Sequence, residues 1–149
     1  MYKYIFLILL LGIYQPMEAF EEGFADNDGI KIYYRDYGPV DAVPIILVQG
    51  LGGQLTQWPD NLIDLLIDND FRPIVYDNRD IGLSTKFIGS PNYSTDYLKY
   101  ILRLPLKSEY TIDDMGQDGI SVLDELNIDS AHLLGMSMGG MICLLYTSD

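Results

Sequence analysis

"LLGMSMGG", Leu133 to Gly140, carries the pattern G-x-S-x-G over Gly135–Gly139. A serine framed by glycines suits a sharp turn from a strand into a helix, because the glycines relieve crowding around a strained backbone. The flanks supply that setting. "AHLL" before the motif reads as a short buried strand, and "GGMI" after it can open a helix. Ser137 is therefore the candidate nucleophile, presented at the carboxyl end of its strand. The amide of Met138, at the start of the helix, would point to where a negative oxygen develops. The competing reading is a glycine-rich strand–helix turn of no chemical use.

Upstream, "VPIILVQG", Val43 to Gly50, is a continuous apolar run rich in β-branched residues, as expected of a strand buried on both faces. The "QGLGG" that ends it, Gln49 to Gly53, can turn a backbone N–H toward the serine, and the Leu51 amide is the candidate second oxyanion donor. A plain strand–helix loop is the alternative. A helix is expected from about Pro59, with Pro59 in the first turn and an apolar face of Leu62, Leu65, Leu66 and Ile63. Another buried strand, Pro73 to Tyr76, runs into the loop "DNRDIGLST", Asp77 to Thr85.

Nearer the N-terminus, "GFADNDGIKIYYRDYG" reads as a β-hairpin with its turn at Asn27-Asp28-Gly29. "DYLKYILRLPL", from Asp96, reads as a short amphipathic helix ended by Pro105. A longer helix is expected from Thr111, capped by that residue with Asp114 completing a capping box. Its buried stripe is Ile112, Met115, Val122, Leu123 and Leu126, with Gly116 and Gly119 allowing close approach to a sheet. Buried strands alternating with helices predict an α/β fold: a leading antiparallel hairpin, then a mainly parallel sheet covered on both faces. The 149 residues, 48% hydrophobic and 21% charged, suit one domain.

Three motifs stand in order: "QGLGG", "YDNRDIGLST" and "GMSMGG". On these, the chain resembles the α/β-hydrolase superfamily from about Gly23 to Ile142. "DNRDIGLST" followed by "YTIDDMGQDGISVLDELNIDSAHLLGMSMGG" is similar to its serine esterase branch, the aclacinomycin methylesterase-like enzymes. Gln49 departs from the histidine most relatives carry before the glycine. A serine rather than an aspartate at 137 disfavours the related haloalkane dehalogenases and epoxide hydrolases. The resemblance implies a serine hydrolase of carboxylic esters working through an acyl-enzyme, with no metal or organic cofactor and a small ester-like substrate. Alternatives are the same chemistry on a thioester, lactone, peptide or C–C bond, or a non-catalytic binding or receptor protein of the same fold.

In that superfamily the acid and base follow the nucleophile in the chain. Asp77, Arg79 and Asp80 are therefore not nominated for the catalytic acid, and Asp77 and Arg79 are expected to tie down their loop by hydrogen bonds and an ion pair. The one histidine, His132, is expected to be a core strand residue buried in the sheet and pointing away from the crevice. A base must lie within about 3 Å of the serine hydroxyl, and neither base nor acid is expected among these residues. The domain reading is accordingly the N-terminal portion of a hydrolase domain over 20–142. Alone, residues 1–149 are expected to aggregate and to show no esterase activity.

The two ends have readings of their own. Residues 1–19, with Lys3 ahead of an apolar run from Ile5 to Tyr14, resemble a signal peptide and predict export to the periplasm or the medium. The run is short for a stable membrane span, and the alternatives are an uncleaved hydrophobic anchor or a mis-assigned start, which would leave the protein anchored or cytoplasmic. "CLLYTSD", 143–149, resembles the in-frame translation of a transposase adapter used in sequencing libraries, and is read as a non-native tail set apart from the fold. A net charge of -13, from 22 acidic against 9 basic residues, argues against nucleic-acid binding. One cysteine, Cys143, precludes an intrachain disulfide and, with a single histidine, leaves no zinc-site pattern.

Overall fold

The computed structural model describes residues 20–87, 98–99, 101–104 and 108–146. The 1–19 segment and most of the helix expected from Asp96 lie outside them; Leu98, Lys99 and Ile101 of that stretch are helical.

Among the described residues the elements run β1 (Glu21–Asn27), β2 (Ile30–Asp36), β3 (Val43–Val48), a short 3-10 turn (Leu55–Gln57), α1 (Asp60–Ile67), β4 (Phe71–Tyr76), α2 (Ile112–Glu125), β5 (His132–Gly135) and α3 (Met138–Leu145). The sheet order is β1-β2-β4-β3-β5. β1, β2 and β4 pair antiparallel, while β4, β3 and β5 run parallel. The hairpin closes through Asp28 (φ 50) and Gly29 (φ 87), two consecutive left-handed residues. That is the tight turn whose twist matches a right-handed ribbon, and Asp-Gly is suited to it.

The sheet separates two cores. On one face α2 and α3 cover Ile32, Ile46, Val48, Ile74 and Tyr76. On the other, α1 and Trp58 cover Tyr33, Ile45, Leu47 and Val75. Residues alternating along β3 thus serve opposite faces, as its continuous apolar run predicts.

Local chemistry sets the helix starts. Thr111 caps α2: its Oγ1 accepts from the Asp114 amide at 3.2 Å, and Asp114 Oδ2 accepts from the Thr111 amide at 2.6 Å. Pro59 stands one position earlier than expected, as the N-cap of α1 rather than inside its first turn. Ile63 is the buried residue of α1, and Leu65 is 58% exposed. Ile112 likewise turns outward from α2, at 40% exposed. Gly119 faces Tyr76 of β4 as well as Tyr146, but Gly116 lies against Leu145, so the close approach it allows is to α3 rather than the sheet.

α3 runs on through Cys143 and Leu144 to Leu145. These residues, set apart from the fold in the sequence reading, are helical, and Cys143 and Tyr146 pack against the core.

Candidate active site

β5 joins the sheet beside β3, pairing Ile45 with His132 through Val48 with Gly135. One more bond, Met136 N to Val48 O at 3.0 Å, carries the ladder to the brink of the turn. Ser137 then adopts φ 55, ψ -120, a conformation that side chains rarely hold, and serves as the N-cap residue of α3. Such a backbone is strained by about 1–3 kcal/mol and persists only where its surroundings over-determine it.

The glycines of the motif do the over-determining. A Cβ at Gly135 would stand 2.5 Å from the Gly139 carbonyl carbon, and a Cβ at Gly139 would stand 2.1 Å from the Val48 carbonyl oxygen. Only bare backbones can pass this closely, so α3 starts directly over the end of β3.

Ser137 is exposed, and it opens into a cleft with Met136 on one side and Gln49, Gly50, Leu51, Gly52, Gly53 and Gln57 on the other. Gly53 N donates to Gly50 O at 3.1 Å, closing a four-residue turn whose third member, Gly52, has φ +76. A positive φ there is the mark of a turn that asks for glycine. The turn abuts the serine: a Cβ at Gly50 would stand 3.1 Å from Ser137 Cβ and 3.6 Å from its Oγ. Among the described residues, neither the Leu51 nor the Met138 amide donates a backbone hydrogen bond. Of the three residues singled out from sequence, Ser137 and Leu51 line this cleft, although Leu51 is 86% exposed, and Met138 follows Ser137 as the first residue of α3.

Asp77 and Arg79 behave as loop ties. Asp77, buried, accepts from the Leu55 amide at 2.8 Å and the Leu83 amide at 2.9 Å, joining the segment after the glycine turn to its own loop. Asp80 accepts from the Phe87 amide at 2.6 Å. Arg79 pairs with Asp118 of α2 through two bonds of 2.6 and 2.7 Å, and the carboxylate holds the guanidinium pKa above its ordinary value. The same carboxylate, fully buried, accepts from Asn27 of the hairpin at 2.8 Å. Sequence reasoning missed Asp118. The signal was an acid on the apolar stripe of α2, between Met115 and Val122.

His132 is not buried in the sheet as expected. β5 is the edge strand among the described residues, and His132 is exposed at its start, edge-on to Phe71 with ring centroids 5.8 Å apart. Three residues of strand, about 10 Å, separate it from Gly135 and the serine lies farther on, so His132 is outside hydrogen-bond reach of Ser137. Gln49, noted from sequence only as a departure from the relatives' histidine, is buried and lines the cleft.

Comparison with known proteins agrees with this geometry. The family model described as alpha/beta hydrolase fold matches residues 43–149. A rhodomycin D methylesterase of Streptomyces peucetius is 29% identical over 124 residues, which is 83% of this chain and 36% of that protein. A 3-oxoadipate enol-lactonase of Acinetobacter baylyi is 27% identical, over 85% of this chain and 39% of that one. Among solved structures, a hydrolase from Pseudomonas aeruginosa superposes with TM-score 0.62 at 28% identity, over 82% of this chain and 38% of that one. An epoxide hydrolase of Mycobacterium thermoresistibile, at TM-score 0.65, 17% identity, and 84% and 34% coverage, shares the fold alone. The chain spans somewhat over a third of the length of the curated relatives it matches.

Proposed function

The chain belongs to the alpha/beta hydrolase fold family, and from that premise we propose that the whole protein is a serine hydrolase of carboxylic esters with Ser137 as nucleophile. Ser137 Oγ attacks the substrate carbonyl, and the Leu51 and Met138 amides donate to the oxygen as it becomes negative. A histidine supplied by chain following the elbow takes the serine proton, oriented by an acid from the same region, and later delivers it to the leaving alcohol. Water then releases the acyl group.

The observation that carries this reading is the strained Ser137 backbone at the mouth of a cleft lined by Leu51, whose amide, like that of the adjacent Met138, donates no backbone hydrogen bond among the described residues. A site under such strain points to function more readily than to packing. The names of the relatives, a methylesterase and an enol-lactonase, both denote ester-type bonds and support the substrate class.

The experiment is hydrolysis of short-chain p-nitrophenyl esters by the complete hydrolase and its Ser137→Ala variant. Turnover lost by at least about a thousandfold in the variant is expected, since the residual catalysis of such sites comes from binding and the oxyanion donors alone. Equal turnover in both would overturn the reading; no turnover on esters but turnover on thioesters or amides would move the substrate class and keep the nucleophile. Export through residues 1–19 is a second part of the proposal. N-terminal sequencing of mature protein tests it, with Phe20 expected as the first residue.

A further inference from the structure

Gln49 ends β3 and opens the turn facing Ser137. Its residue exposure is 1%, and both amide atoms, Nε2 and Oε1, are buried with no hydrogen-bond partner among the described residues. The backbone around it is fixed: its carbonyl accepts from Asn78 Nδ2 at 3.1 Å. The side chain fills the space beneath the turn, where a Cβ at Gly53 would stand 2.9 Å from Oε1 and 3.2 Å from Gln49 Cβ. It also lines the cleft that holds Ser137.

A buried amide with neither donor nor acceptor matched is destabilising, whereas an apolar side chain of the same size at the same place is not. Such groups call for an explanation in function or in a bound polar partner. Here the amide lies directly under a turn whose outer amide, Leu51, must point at one spot near Ser137 to be useful. A cleft-lining polar pocket can hold a water that bridges two to four groups.

We propose that Gln49 is a positioning residue for the hydrolysis: its buried amide, bridged by water to the turn above, sets the direction of the Leu51 N–H. The inference rests on the serine-hydrolase reading and deepens it.

The test uses the complete hydrolase, with Gln49→Met, which keeps size and removes both polar atoms, and Gln49→Glu, which keeps shape and adds an ionisable oxygen. Gln49→Met should stay folded at the assay temperature while kcat on a p-nitrophenyl ester falls about tenfold, with KM changed less than twofold; a misaimed donor raises the barrier to the transition state without weakening ground-state binding. Gln49→Glu should keep most of its activity at low pH, where the neutral acid still donates and accepts. Its kcat relative to wild type should then fall as pH rises and a negative charge forms beneath the oxyanion. Wild-type kcat in Gln49→Met, or a loss of kcat that merely follows a lowered melting temperature, would overturn the inference. Should Gln49→Met not fold, a Gln49→Glu to wild-type ratio independent of pH overturns it and a falling ratio supports it. Absence of Ser137-dependent turnover in the wild type would defeat the hydrolase reading itself, and this inference with it.

Discussion

Gly139 passes so close to Val48 that a Cβ on the glycine would lie 2.1 Å from the Val48 carbonyl oxygen. The first turn of α3 therefore rests on the end of β3, and this contact places Ser137 beside the glycine turn that follows β3. No rotamer change relieves the clash, because the obstructing atoms are backbone. Gly139→Ala should destabilise the protein by at least about 3 kcal/mol, the upper end of ordinary overpacking. Denaturant titration checks it; a variant within about 1 kcal/mol of wild type would show that α3 can shift away from β3.

Asp118 joins three segments distant in the chain: Arg79 of the loop after β4, Asn27 of the hairpin, and its own helix α2. The pair is buried, with side-chain exposures of 7% and 0%. Asp118→Asn keeps the shape but leaves the Arg79 charge uncompensated, and should cost about 3–5 kcal/mol. Replacing both with apolar residues should restore much of that loss, which a double-mutant cycle measures.

Burial, followed by a hydrogen bond to Asp80, pushes the Tyr110 hydroxyl up to about 12 from its ordinary 10.0. The fold favours the protonated phenol. Its contribution is thus fully present below about pH 10 and lost as pH rises through 10 to 12. The urea midpoint should drop across that window, in step with tyrosinate absorbance, and Tyr110→Phe should lessen the drop. An unchanged slope in the variant would contradict the assignment.

His132 lies at the far end of β5 from the elbow. His132→Ala should leave ester turnover within about twofold of wild type, as expected of a surface substitution remote from the chemistry. A large loss in kcat, with stability intact, would return His132 to consideration as the base.

Local signals in the sequence were sufficient where one short segment determines the outcome. The Asp28-Gly29 turn, the Thr111 and Asp114 capping box, and the strand–serine–helix order each follow from a few neighbouring residues. Other features depend on partners remote in sequence. The outward turn of Leu65 follows from how α1 lies on the sheet, a choice its crowded apolar run leaves open. The exposure of His132 follows from β5 being an edge among the described strands. Asp118 is an acid on an apolar stripe until Arg79, 39 residues earlier, is brought against it. Gln49 stands out in the sequence only as a departure from the relatives' histidine; the folded turn above it shows that both amide atoms are unmatched among the described residues.

The central test is whether Ser137 is the residue that forms a covalent adduct with an electrophile that mimics the substrate carbonyl. The complete hydrolase should be incubated with a fluorophosphonate, digested, and read by mass spectrometry. The predicted result is one adduct per chain on the peptide carrying Ser137, abolished in Ser137→Ala and slowed in Gln49→Met. Turnover of ester with no adduct on Ser137, or labelling that survives Ser137→Ala, would contradict it.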